Sequence, residues 1–420
     1  MKNRSVSLIA EKAKIASRKL AILSAEEKNS ALLSIAEKIE SNKDKILNAN
    51  SKDVSAAKKN KLVDALIDRL TLNEKRISDI CSSLKDIAKL PDPVGETLAE
   101  WTRPNGIKIK KVRVPLGVIC MIYESRPNVT VDSTALCLKS GNAVVLRGGS
   151  EAINSNRHLV IAIRNGLKKT SVPQEAVQFI DTTDRSDIYK IIKMDKYIDL
   201  VIPRGSQEMV SKIRLEATVP VLSHGKGLCH TYIDKSADIE MAKNIVFNAK
   251  VQRPGVCNAT ESLIIHRETA NSILPVIAAK LLEAKVELRA DKEALKILKG
   301  YKYLKTATEH DWSTEYLGLI LSVKVVGSLE QAIEHINKYG SGHSDAIITE
   351  DAASAEKFIA GVDSSAVFHN ASTRLHDGGV FGLGAEIGIS TQKLHARGTM
   401  GLRELTTTKY VVHGTGQTRE

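Results

Sequence analysis

Aromatic residues are scarce in this chain. Tryptophan, tyrosine and phenylalanine together make up 4% of 420 residues. A protein that stacks nucleic-acid bases needs more aromatic faces than this. The scarcity matters because the formal net charge is +12. The lysines are interleaved with acids along helix-like stretches such as IESNKDKILNANSKDVSAAKKNK (39–61), the pattern of a solvated surface. A positive field of this kind favours anionic small molecules. Cysteine is also sparse: Cys81, Cys120, Cys137, Cys229 and Cys257, an odd number, widely spaced and without a C-x-x-C. No disulfide framework or metal site is expected from that set, and Cys120 and Cys137 sit in apolar stretches that read as core. No apolar run is long enough to cross a bilayer. The first residues carry spaced charges and do not read as a secretory signal, so the expected location is the cytoplasm. Motifs for whole reaction classes are missing too: there is no G-x-S-x-G, H-E-x-x-H or P-loop, and no G-x-G-x-x-G.

What is present reads in order as follows. Residues 1–100 are predicted helical, with capping boxes at Ser24–Glu27 and Thr71–Glu74, and Pro91-Asp-Pro93 ends this region. Trp101–Gly106 reads as a turn between two extended segments. The alternating stretch 107–115 predicts a half-exposed strand, either an ordinary edge strand or one that pairs with another subunit. From 116 buried strands alternate with helices (116–123, 143–147, VQFI, IDLVIP, VPVL), which predicts a parallel doubly wound sheet. A second α/β unit runs from about 226 to 360. SSAVFHN (364–370) then leads into a stretch with five glycines in Gly378–Gly388.

The candidate site residues lie at element junctions. Cys257, in Gln252-Arg-Pro-Gly-Val-Cys-Asn258, sits in a Pro-Gly break between a helix-like stretch (237–250) and a strand (261–266). A thiol there is both held and reachable, as a nucleophile must be; inert packing is the alternative. In Tyr123–Asn128, Arg126 could meet a phosphate or carboxylate and Asn128 an oxyanion, or Asn128 could simply cap a helix starting near Val129. Arg147-Gly-Gly-Ser150 and Pro203-Arg-Gly-Ser206 place small residues before helices, beside an arginine. They suit a phosphate-bearing cofactor or are plain tight turns. Lys226 stands between Gly225 and Gly227 after VPVL. In the glycine-rich stretch, Phe381 and Glu386 read as backbone packed on a ligand, Glu386 as a ribose acceptor or a solvated carboxylate.

The stretches VPLGVICMIYESRPNVTVDSTALCLKSGNAVVLRGGSEA, VQRPGVCNATESLIIH and FGLGAEIGISTQKLHARGTMGLRELTTTKY closely resemble the gamma-glutamyl phosphate reductase family, a branch of the aldehyde dehydrogenase superfamily. The resemblance covers essentially the whole chain. It implies an α/β aldehyde dehydrogenase-like fold with three parts. A Rossmann-type NADP(H)-binding domain would comprise 1–100 and 120–225 with part of 361–390. A catalytic domain would span 226–360, and a β oligomerisation arm 101–119 and 391–420. It implies NADPH-dependent reduction of L-glutamyl 5-phosphate to L-glutamate 5-semialdehyde and phosphate, the second step of proline biosynthesis, through a thioester on Cys257. Asn128 and the backbone N–H of Cys257 would meet the oxyanion. Arg147, Gly205, Ser206, Phe381 and Glu386 would hold the cofactor, with Arg147 and Arg204 as candidates for its 2′-phosphate. Arg126 and Lys226 are candidates for the substrate's charged groups. A homodimer or homotetramer and a functional link to glutamate 5-kinase are further expectations. Leu222 stands where hydrolytic relatives carry the glutamate that activates water, so phosphate rather than water should exchange with the thioester. The sequence departs from the family pattern at Thr399, in place of an expected proline, and at Leu375-His376 and Val380. Loss of that proline is expected to bear on the arm rather than on the chemistry.

Overall fold

The computed structural model describes residues 5–223 and 225–419. The chain folds into two compact units. One comprises the chain up to Ser223, Gly382–Gly388 and the stretch from Met400 on. The other comprises the stretch from Gly225 to Phe381 and Ile389–Thr399.

In the first unit, helices Val6–Leu20, Ala25–Ser41, Lys43–Lys59, Asp64–Leu70 and Glu74–Lys89 come first. Ser24 and Glu27 form the capping box expected of them. The second expected box is not formed: Asn73 caps helix Glu74–Lys89 by accepting from the Arg76 N–H, while the Thr71 hydroxyl donates back to the Ile67 carbonyl and closes the preceding helix. The helical region ends before Pro91, as expected, and Thr97–Thr102 (β1) is the extended segment before the turn. It pairs antiparallel with Lys108–Pro115 (β2) around the turn expected at 101–106. On its other side β2 pairs with Thr406–His413. The alternating strand is therefore the centre of a three-stranded sheet and not an edge. The exposed strand is β1, whose residues all face solvent.

The main sheet of this unit uses Val118–Tyr123 (β3), Ala143–Gly148 (β4), Val177–Phe179 (β5) and Leu200–Arg204 (β6). Its pairs are all parallel, in the order β5-β4-β3-β6. β3 and β4 are wholly buried, as unbroken apolar runs with both faces covered must be. VPVL does not extend to a strand; Val221 makes a single parallel bridge to Val201. The chain leaves β3 for β4 and β5, then returns to the other side of β3. The carboxyl ends of β3 and β6 thus flank a topological switch point, where doubly wound sheets bind ligands. The two ends are tied by the Glu124 N–H donating to the Arg204 carbonyl at 3.0 Å.

The second unit has a seven-stranded parallel sheet of Cys229–Ile233 (β7), Thr260–His266 (β8), Glu287–Ala290 (β9), Leu304–Thr306 (β10), Ile320–Val326 (β11), Ser344–Ile348 (β12) and Ala366–His369 (β13). The order is β10-β9-β11-β8-β7-β12-β13. One core packs helices Ile239–Val251 and Arg267–Glu283 on one face. Another packs Leu329–Tyr339 and Ala352–Gly361 on the other. Among the described residues no helix is long and apolar enough to cross a membrane.

Candidate active site

Cys257 lies in the turn between helix Ile239–Val251 and β8, hence at the amino edge of the second unit's sheet. It is half-buried, whereas the other four cysteines are buried. Three sets of contacts fix this turn. The first is an ion pair across its base: Lys250 Nζ meets Glu261 Oε2 at 2.5 Å, both side chains at most 1% exposed. Burial raises the Glu261 carboxyl to about 7 against the pull of Lys250, and burial pushes Lys250 down. The second comes from the segment after β13. Thr373 Oγ1 donates to the Asn258 carbonyl at 2.7 Å. Asn258 Nδ2 donates to the His376 carbonyl at 3.0 Å, and Asn258 Oδ1 accepts from Arg374. The third is Cys229, whose Sγ donates to the Cys257 carbonyl at 3.1 Å. Burial pushes the Cys229 thiol well up, so it serves as a donor and not as a second nucleophile.

Gly227 lies directly against this turn. A Cβ there would collide with the Cys257 carbonyl oxygen, Cα and Cβ. Gly227→Ala is therefore expected to displace the nucleophile and lower kcat by about a hundredfold, the usual effect of an ångström's misplacement. Steady-state kinetics with a circular-dichroism check of fold measures this; unchanged kcat would show that the turn tolerates the shift.

The expected substrate lysine is engaged elsewhere: Lys226 Nζ donates to the Ser313 carbonyl at 3.0 Å, and the Gly227 N–H to Glu315 at 3.0 Å. Leu222 is buried, with its N–H on the Val201 carbonyl; His224 of the same motif lies outside the described residues. Phe381 is exposed at 46%, its ring stacked on buried His376 at 5.4 Å. Burial lowers the His376 imidazole to about 4, and its Nδ1 pairs with Ser344 Oγ at 2.8 Å.

The remaining expected residues belong to the first unit and gather at its switch point. Arg126 is the N-cap residue of helix Pro127–Lys139, with Pro127 at its first position. Asn128 is inside that helix and not its cap; its Nδ2 donates to Asp132 Oδ2 at 2.9 Å. Burial raises the Asp132 carboxyl to about 6, against that bond. Arg147 is buried at the end of β4, and its guanidinium donates to the carbonyls of Gly148 (2.6 Å) and Asp184 (3.3 Å). It is thus committed to main-chain carbonyls rather than presented at the surface.

Gly205 and Ser206 form the turn before helix Gln207–Glu216, where Ser206 is the N-cap. The Ser206 N–H donates to Glu124 Oε2 at 2.8 Å, and a Cβ at Gly205 would stand 2.5 Å from that oxygen. The helix N-terminus thus already donates to a carboxylate, the kind of group such a terminus favours. The Ser206 N–H would have to release Glu124 to receive a cofactor phosphate. Arg204 packs against Gly388, two residues after half-buried Glu386. Of the expected cofactor residues, Arg147, Gly205, Ser206 and Glu386 lie in the first unit together with Arg204.

Sequence reasoning missed Arg374, Thr373, Cys229 and His376 as supports of this turn. The turn around Arg374 has no motif signal, and only the unusual Leu375-His376 pair pointed to that segment.

The chain matches the family model described as "Aldehyde dehydrogenase family" over residues 1–295 and 306–411. It is 52% identical over 415 residues to gamma-glutamyl phosphate reductase from Caldanaerobacter subterraneus subsp. tengcongensis, covering 99% of this chain and 100% of that one. It is 54% identical over 411 residues to gamma-glutamyl phosphate reductase from Carboxydothermus hydrogenoformans, covering 98% of each. The crystal structure of gamma-glutamyl phosphate reductase from Thermotoga maritima superposes with a TM-score of 0.97 at 48% identity, covering 99% of this chain and 100% of that one.

Proposed function

The chain belongs to the aldehyde dehydrogenase family, and we propose that it is its NADPH-dependent member that reduces L-glutamyl 5-phosphate to L-glutamate 5-semialdehyde and phosphate. Full-length identity above 50% to gamma-glutamyl phosphate reductases supports the substrate. The observation that carries the chemistry is Cys257, the one half-buried thiol, on a turn held by three sets of contacts. Its thiolate attacks the acyl phosphate and phosphate leaves with the C–O bonding pair. The resulting thioester is a good hydride acceptor, and collapse of the reduced adduct releases aldehyde and regenerates the thiolate. NADPH supplies the hydride when bound. Arg204, Gly205, Ser206 and Glu386 are its proposed ligands, with Phe381 against the nicotinamide ribose. Asn128 is the proposed oxyanion donor and must exchange Asp132 for the substrate oxygen. By the sequence resemblance Leu222 takes the position of the glutamate that activates water in hydrolytic relatives, which supports phosphate as the acyl acceptor.

NADP⁺ reduction by glutamate semialdehyde, assayed with and without phosphate, tests this reading. Turnover is expected only with phosphate; phosphate-independent turnover would replace the reading with a hydrolytic one. The semialdehyde cyclises to pyrroline carboxylate, so rates are referred to the free aldehyde. Of the two candidates for the 2′-phosphate, Arg147 is buried with two nitrogens on carbonyls, which favours Arg204. Arg204→Glu is expected to lower the NADPH:NADH ratio of kcat/KM by roughly ten- to a hundredfold, the worth of a charge-assisted hydrogen bond; an unchanged ratio eliminates Arg204. The solvent-facing strand β1, with Trp101 and Tyr410 in edge contact at 6.2 Å, is the proposed surface for a second copy in a homodimer or homotetramer. The proposed location is the cytoplasm, where glutamate 5-kinase would supply the labile acyl phosphate.

A further inference from the structure

Arg253 and Arg374 flank the Cys257 turn, and among the described residues neither makes a salt bridge to a carboxylate. Arg374 Nε donates to Gln252 Oε1 at 2.9 Å and its Nη1 to Asn258 Oδ1, so its guanidinium spans the two sides of the turn. Burial lowers the Arg374 guanidinium first, and repulsion from Arg253 lowers it further, while Asp377 and Cys257 pull it back. Arg253, Arg374 and Cys257 are therefore electrostatic neighbours. Arg253 is exposed. Gln252 and Asn258, the two residues that Arg374 bonds, bracket Arg253 and Cys257 in sequence, so both cations sit on the nucleophile's turn and offer charge to an entering anion.

Resting on the reductase reading above, we propose that Arg253 and Arg374 form the site of the transferred phosphate. In the reductive direction they hold the acyl phosphate and the phosphate that departs. In the reverse direction they hold the inorganic phosphate whose oxygen attacks the thioester carbon. There the new C–O bond forms as the C–S bond breaks, and its electron pair returns to Cys257 as thiolate. No electrons are exchanged with the cofactor in that step. Planar guanidinium groups match a phosphate's oxygens in pairs. Proximity selects phosphate over the substrate's α-carboxylate. The phosphorus is two bonds from the reacting carbon, whereas the α-carboxylate carbon is four bonds away, and Arg374 grips the residue next to Cys257. Lys226 is committed to Ser313 and Lys250 to Glu261, which leaves this pair as the cationic groups of the turn open to an anion among the described residues.

The test measures semialdehyde oxidation by the full-length enzyme while phosphate and aldehyde are varied separately. Arg253→Gln is the decisive variant, because Arg374 also braces Asn258. The KM for phosphate is expected to rise about tenfold or more, as for loss of a charged hydrogen bond, and the KM for aldehyde to change less than about twofold. Arg374→Gln is expected to do the same and Arg374→Lys to recover part of the loss, which a purely bracing role would not require. A rise confined to the aldehyde KM would assign the pair to the α-carboxylate and overturn the proposal, as would no change in either constant. A second arm needs no turnover: inorganic phosphate should slow iodoacetamide alkylation of Cys257 in the wild type and not in Arg253→Gln. Protection in the wild type without phosphate-dependent turnover would leave the site standing and remove the reductase reading. Absence of protection would remove the site.

Discussion

Cys257→Ala is expected to lower turnover by about 10⁴-fold or more, the scale seen when a covalent nucleophile is removed. The thermal midpoint should move by no more than about 2 °C, because a half-buried turn residue adds little to stability. The two expectations separate chemistry from folding. The hydroxyl-free alanine keeps the backbone N–H and the carbonyl that accepts from Cys229, so the turn's supports survive. What goes is the atom that holds the acyl group. Mass spectrometry should detect a hydroxylamine-sensitive acyl adduct on the wild type mixed with the aldehyde and NADP⁺ without phosphate. It should find none on the variant. Cys229 is the rival thiol, buried and pushed well up by burial. If Cys257→Ala kept the adduct and Cys229→Ala lost it, the assignment would be reversed.

The legible parts of this fold and the illegible parts differ for physical reasons. Buried strands such as VICMIY (118–123) announce themselves because both faces demand apolar residues. CHTYI (229–233) is equally buried yet was not read as a strand. Its His230 is paid for by Asp345, 115 residues away, at 2.9 Å, and no local pattern reveals such a partner. The strand at 107–115 was found by its alternation, but its neighbour Thr406–His413 comes from nearly 300 residues on, so its central place in the sheet could not be read. Thr71 and Asn73 both fit a cap, and only the register of the preceding helix decides between them. The nucleophile's turn was legible from Pro254-Gly255 and its resemblance. Its supports were not: Arg374, Thr373 and His376 arrive from more than 100 residues away. Asn128 shows the same limit in reverse. Its residue type fitted an oxyanion donor, while no local pattern signalled that Asp132, one helical turn on, would engage it.

Lys250→Met is expected to destabilise the protein by about 3–5 kcal/mol at pH 8, the cost of leaving one member of a buried ion pair alone. Methionine keeps the bulk of the side chain and removes its charge. Glu261 would then retain only the Leu317 N–H on its other oxygen, at 3.1 Å. The effect should depend on pH in a definite direction. Burial holds the Glu261 carboxyl at about 7 even with Lys250 present, above its ordinary 4.5. Removing Lys250 removes a group that lowers it, so it rises further. A carboxyl raised on folding contributes stability that is full below its unfolded value and lost as pH climbs through its folded value. The variant's deficit should thus shrink as pH falls from 8 towards 5, where Glu261 becomes neutral. Urea unfolding at pH 8 and pH 5.5 reads this directly, and equal deficits would show that an unpaired Glu261 charge is not the cause. The pair also bears on catalysis. Lys250 is the penultimate residue of the helix and Glu261 the second residue of β8, so together they close the base of the Cys257 turn. Replacing both, as Lys250→Met with Glu261→Leu, should restore most of the stability, since apolar pairs of similar volume commonly match buried ion pairs. If kcat stays low while stability returns, the ion pair acts as the clamp that aims Cys257; if kcat recovers with stability, any well-packed base suffices to hold the nucleophile in place.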